Sequence, residues 1–302
     1  MKFTPASFRA WSRKKVTLLG MSGVGKTWLA SLLRRHDWFH YSADYRIGKR
    51  YLDEPILDLV KQEAMSVPLL RALLRRDWID ISNNIKVDDL GPVLSFVGKP
   101  GDPRRGGLAP TEFSRRQALY REAEIAAMRD VPSFIDKAWD VYGYPHFVND
   151  VGGSLCELEA SGVIELLSEH TLLLYIQVTT PEEEAVLIQR AQSDPKPLYY
   201  RPAFLAEYLP RYRAERGLKD AADHLDADPD DFTRWIFPHL FRARVPRYEA
   251  IARPHGYTVT AREVGQVRDE SDFLALLETA IGRQSGAGQK DRSLSNKSPQ
   301  AA

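Results

Sequence analysis

Gly20-Met-Ser-Gly-Val-Gly-Lys-Thr27 lies between a short apolar run and a helix-forming one. It fits the spacing Gly-x-x-x-x-Gly-Lys-[Ser/Thr], a phosphate loop when a strand precedes it and a helix follows. Both neighbours are present. Residues 16–19 (Val-Thr-Leu-Leu) are a short apolar, partly β-branched run that stops at Gly20 and reads as a buried strand. Residues 26–35 carry helix formers, with apolar side chains at Leu29, Leu32 and Leu33, so a helix begins inside the glycine loop. The chemistry explains each position. Glycines let the backbone curl so that successive N–H groups face inward onto phosphate oxygens. Lys26 reaches the β- and γ-phosphates and the Thr27 hydroxyl ligates Mg²⁺. The helix adds the positive end of its dipole to the same anion site. Gly20, Met21, Ser22, Gly23, Val24, Gly25, Lys26, Thr27 and Trp28 are therefore the candidate nucleotide-binding segment, with ATP and Mg²⁺ as the expected ligands.

Working outward, residues 39–42, 146–150, 171–178 and 257–260 read as further strands, the third being the most strand-like run in the chain. Helices are expected at 53–65, 68–76, 110–129 (opened by Thr111 with Glu112 behind it) and 272–281, with another starting at Pro181-Glu-Glu-Glu. Strands alternating with helices predict an α/β fold, about five parallel strands covered by helices on both faces. Right-handed crossovers then put the C-terminal strand ends on one edge. That edge gathers the loop at 20–27, Asp44, residues 150–154 and Thr179-Thr180. Residues 50–145 are too many for a simple crossover and read as a helical insertion after the second strand. One domain is expected over 1–282, followed by a tail at 283–302 too poor in apolar residues to fold.

Composition narrows the class. The 302 residues have 43% hydrophobic and 27% charged content and a formal net charge of +1, which gives no signal for nucleic acid. No segment approaches the ~18 consecutive apolar residues of a membrane span. The basic N-terminus lacks the apolar stretch of a secretory signal, so a cytoplasmic location is expected. The single cysteine, Cys156, excludes an internal disulfide framework and reads as a small buried hydrophobe. The histidines at 36, 40, 146, 170, 224, 239 and 255 lack paired-ligand spacing. Trp28, Trp38, Trp78, Trp139 and Trp235 are expected to pack in cores.

Four features together resemble the small-molecule kinases of the P-loop NTPase superfamily, shikimate and gluconate kinases in particular. They are the Ser-Gly-Val-Gly-Lys-Thr loop, Asp44 after the second strand, Gly152-Gly153 after the third, and Arg190 leading into Asp194-Pro-Lys-Pro-Leu-Tyr-Tyr-Arg201-Pro202. The likeness covers residues 15–50 and 145–215 and the last strand, and leaves 50–145 unmatched. It implies that Asp44 orients or deprotonates an acceptor hydroxyl, with Arg46, Gly152 and Gly153 on the acceptor side. Arg190 and Arg201 would come from a closing lid to the transferring phosphoryl group, and Asp150 would hold a Mg²⁺-bound water as a Walker B carboxylate does.

Each role has a plainer rival. Asp44 can cap a helix or pair with Arg46, Asp150 can be a turn residue, and Arg190 can lie on a solvated helix face. The Arg104-Arg105-Gly106-Gly107 run is either an anion-binding loop or a mobile surface loop. Asp150-Val-Gly-Gly153 also fits the Asp-x-x-Gly element of GTPases. The guanine-reading Asn-Lys-x-Asp is missing after strand 171–178, which disfavours that class. Two readings stay open: phosphoryl transfer to a small-molecule acceptor, or an ATPase switch that acts on a protein partner through the helical insertion.

Overall fold

The computed structural model describes residues 1–158, 162–219 and 225–295, the last eleven of these as backbone only. Helix α1 (Pro5–Ala10) leads into β1 (Lys15–Leu19), the glycine loop and α2 (Lys26–Arg34), then β2 (Trp38–Ser42). A long excursion follows through α3 (Ala43–Arg46), a π-helical turn at Ile47–Tyr51, α4 (Asp53–Ala64), α5 (Pro68–Leu74), α6 (Gly91–Val97), α7 (Pro110–Arg129) and α8 (Val131–Asp140). The chain then returns to β3 (His146–Asp150), α9 (Val163–His170), β4 (Leu172–Gln177) and α10 (Pro181–Ser193). It closes with α11 (Pro202–Arg216), α12 (Pro229–His255), β5 (Gly256–Thr260), α13 (Ala261–Val264) and α14 (Glu270–Ser295).

The five strands form one sheet in the order β2-β3-β1-β4-β5, and every pairing is parallel. This is the expected α/β class. Strands β1 and β4 are apolar nearly throughout because helices cover both of their faces, which removes the need for an alternating pattern. The register matters for the site. Leu18 of β1 and Ser42 of β2 both pair with Asp150, so β1, β2 and β3 end side by side. The first residues beyond these strands therefore emerge at one edge.

A second apolar cluster lies outside the sheet core, where Phe113 of α7 meets Tyr200, Phe204 and Tyr212 and the α12 side chains Phe232, Ile236 and Leu240. It fixes α11 and α12 against the start of α7. No described helix is long and apolar enough to cross a membrane.

Several expectations need correction. Helix α7 begins at Pro110 with Ala109 as its cap residue and no side-chain cap, so Thr111 sits within the first turn and does not open it. Proline at the first position has no N–H to satisfy, and a cap is less needed there. The tryptophans divide: Trp38 is fully buried, whereas Trp28, Trp78 and Trp139 are 49%, 66% and 40% exposed. Trp78 and Trp139 instead lie under the guanidinium groups of Arg76 and Arg13. Cys156 is buried as expected. Helix α14 continues to Ser295, past Gly282, beyond which the tail is expected. The expected tail's final residues, 296–302, lie outside the described residues.

Candidate functional site

The glycine loop leaves β1 and curls over the start of α2. Gly20 has φ of +142°, and a Cβ there would stand 2.7 Å from the Ile176 carbonyl oxygen on β4, so a side chain has no room. Gly25, with φ of +101°, is the residue before α2, and its carbonyl accepts the Leu29 N–H at 2.9 Å. Lys26 is buried, and its ammonium donates to the carbonyl oxygens of Gly20 (2.8 Å) and Met21 (2.9 Å). Burial lowers its pKa, and the charges of Asp150 and Asp44 oppose that shift.

The carboxylates arrive from the neighbouring strand ends. Asp150 closes β3 and is buried; across the β2–β3 pair, His40 Nε2 lies 3.8 Å from its Oδ2. Asp44 sits two residues beyond β2 in α3, whose cap is the Ser42 side chain, so Asp44 itself is free of capping. Its pKa is pushed up to about 6, chiefly by burial and then by the Asp150 charge, against the pull of Lys26 and the Tyr120 hydroxyl. The turn after β3 closes onto the loop: a Cβ on Gly153 would stand 3.0 Å from the Ser22 nitrogen.

Two cavities open here. One, of about 400 Å³, is bounded by Lys26, Thr27, Asp44, Gly152, Arg190 and Phe237. The other, of about 690 Å³, is the more apolar, with Val178, Val186, Leu187 and Val264 in its wall. Trp28 borders both, which is why it is half exposed despite its size.

Of the sequence candidates, the residues Ser22, Gly23, Gly25, Lys26, Thr27, Trp28, Asp44, Gly152, Gly153 and Arg190 border the first cavity. Gly20, Met21, Val24, Asp150, Arg46 and Arg201 do not. Arg46 donates through Nε to Asp130 at 2.7 Å, with its guanidinium 4.9 Å from the Phe134 ring, which ties it to the start of α8. It pairs with Asp130, and the Asp44–Arg46 pair is not made. Arg201 heads α11, and its backbone N–H donates to Glu157 Oε2 at 3.0 Å. Arg104 and Arg105 pair with Asp102 and Asp228, so carboxylates of this chain already engage both guanidinium groups.

Sequence reading missed three residues around this edge. Arg244 of α12 is buried and donates to the carbonyl oxygens of Gly153 (2.8 Å) and Tyr199 (2.7 Å) and to Glu157 Oε1 (3.3 Å). Tyr120 and Glu124 reach in from α7; burial pushes the Glu124 carboxyl up to about 8. Their one sequence sign is polar residues falling on the apolar stripe of a helix, and Arg244 has no such sign.

The donor set suits a nucleotide with Mg²⁺. The glycine cradle is where a Cβ is excluded, Thr27 borders the first cavity, and Asp150 lies near enough to Lys26 for its charge to act there. Among the described residues no three His, Cys, Asp or Glu side chains form a metal cage. Mg²⁺ held by phosphates, waters and one or two protein oxygens needs none.

No protein-family model matches this chain, and no curated protein matches it. Among solved structures it is similar to a shikimate kinase from Bacteroides thetaiotaomicron, at 15% identity and a TM-score of 0.39, over 91% of this chain and 98% of that one.

Proposed function

We propose that the chain binds Mg²⁺–ATP and transfers the γ-phosphoryl group to a hydroxyl of a small-molecule acceptor. The observation that supports this best is the pairing of buried Lys26 with half-buried Asp44 on one cavity beside the glycine loop, with Asp44 raised to about 6. A general base poised near neutral pH is what proton removal from a hydroxyl requires, and plain nucleotide binding has no use for it.

Bound Mg²⁺–ATP supplies the transferable phosphoryl group. The loop N–H groups and Lys26 would hold the phosphates, and Thr27 and Asp150 would hold the metal. Asp44 accepts the proton from the acceptor hydroxyl beside Gly152 and Gly153. Arg190, exposed on α10 at the cavity mouth, offers a planar guanidinium to the group in transit. The apolar cavity beside Trp28 takes the base and ribose.

The test is incubation of the purified protein with γ-labelled ATP and a metabolite extract. A labelled small product is expected. Release of inorganic phosphate alone, stimulated by a protein, would replace this reading with the switch.

A further inference from the structure

Asp44 can accept a proton only if its carboxyl is held toward the cavity, and the side chain that touches it comes from the long excursion between β2 and β3. Helix α7 presents Gln117, Tyr120 and Glu124 at positions i, i+3 and i+7, which share one helix face. All three are buried. Tyr120 donates its hydroxyl to Asp44 Oδ1 at 3.4 Å, and its ring stacks on Tyr199 with centroids 5.9 Å apart. Glu124 accepts the Ser154 hydroxyl, with Oγ 2.8 and 2.9 Å from its two oxygens. Gln117 grips the segment at 198–200 from both sides, donating to the Leu198 carbonyl (3.3 Å) and accepting the Tyr200 N–H (2.8 Å).

Gly152 lies where these groups converge. A Cβ on it would stand 3.2 Å from Asp44 Oδ1, 3.3 Å from Glu124 Oε1 and 3.5 Å from Ser154 Oγ. The turn beside the acceptor space is therefore pressed between a carboxyl from α3 and another from α7. One rigid helix face touches Asp44, the Gly152–Ser154 turn and the segment beyond α10.

We infer that Tyr120 and Glu124 are positioning residues for the transfer, a role that rests on the proposed function of Asp44 as the base. Tyr120 fixes the Asp44 carboxyl, and Glu124, through Ser154, fixes the turn against it. A reacting group displaced by about 1 Å can lose up to ~100-fold in rate, so a single hydrogen bond at this point has a kinetic effect. The excursion thereby supplies part of the acceptor machinery, in addition to its packing.

Tyr120→Phe keeps the ring and its stacking and removes only the hydroxyl. Glu124→Gln keeps the volume and an oxygen for Ser154. Each is made in the unaltered chain and in an Asp44→Asn background, and transfer from Mg²⁺–ATP is followed with water as the acceptor probe. For Tyr120→Phe, kcat is expected to fall roughly 10-fold with KM for Mg²⁺–ATP unchanged, and neither substitution should have a further effect once Asp44 is Asn. In chain labelled with ¹³C-aspartate, the Asp44 carboxyl resonance, identified by its loss in Asp44→Asn, should move in both variants. Additive losses, or an unmoved resonance, overturn the positioning role and leave Asp44's own role standing. If Asp44→Asn leaves transfer unchanged, the base role of Asp44 fails and takes the positioning role with it. A chain that transfers nothing to water is judged by the resonance alone.

Discussion

The two ends of the cleft are built differently. The end proposed for phosphate comes from one contiguous segment, residues 20–27, and its geometry is set by glycine backbone, with φ values of +142°, +89° and +101° at Gly20, Gly23 and Gly25. The end proposed for the acceptor comes from five separate segments, contributing Asp44, Tyr120 and Glu124, Gly152 to Ser154, Tyr199 and Arg244. Its groups are held by side chains from distant elements, Tyr120 on Asp44, Glu124 on Ser154 and Arg244 on the Gly153 and Tyr199 carbonyls. A backbone-built site tolerates change in its surroundings because the chain's own dihedrals hold it in shape. A side-chain-built site depends on every helix that carries a member.

That contrast can be broken by substitution. Lys26→Ala should have the largest effect, lowering Mg²⁺–ATP affinity by roughly 100-fold or more, because it removes the one charged group of the loop facing the phosphates. Calorimetry is the measurement, with circular dichroism to show that the fold is kept; undiminished affinity would leave the phosphate end without its assigned ligand. Asp150→Asn should separate the two ends. Nucleotide binding is expected to stay within about threefold, while Mg²⁺-dependent turnover falls on the order of 10-fold to 100-fold. Normal turnover in that variant would remove the metal role.

The smallest effect belongs to the acceptor end and concerns stability. Glu124 carries a raised folded-state pKa of about 8 against an ordinary value of 4.5. The folded chain thus binds the proton more tightly than the unfolded chain. The associated stability is complete below about 4.5 and is lost as pH rises through about 8. Glu124→Gln should accordingly raise Tm by a few degrees relative to the unaltered chain above pH 8, with the gain shrinking toward pH 5. Calorimetric scans at pH 5, 7 and 9 check it. A gain that did not depend on pH would mean that packing, not ionisation, governs this position.

Legibility in the sequence followed the same division. The loop, the strand ends and Asp150 could be read because each is a local pattern: a glycine spacing, an apolar run, a carboxylate at the end of a run. Asp44 could be found by its order after the second strand, but its raised pKa could not, since that comes from burial and from Asp150, more than a hundred residues away in the chain. Arg46 shows the opposite failure. Two positions from Asp44, it looked like an acceptor contact, yet its guanidinium is bound to Asp130. The exposed tryptophans teach the same lesson, since size and apolarity predict burial on average and cannot identify which ring borders a cavity.

The α/β class and the five strands were legible in the residues alone, because periodicity is a property of consecutive residues. Only the tertiary structure decided which polar groups surround Asp44. Tyr120, Glu124 and Arg244 were unremarkable members of helical segments until packing removed them from water, and burial turned ordinary side chains into fixed hydrogen-bond partners. In the proposed reaction, residues 20–27 would locate the donor, and α7, through Tyr120 and Glu124, would shape the place of the acceptor.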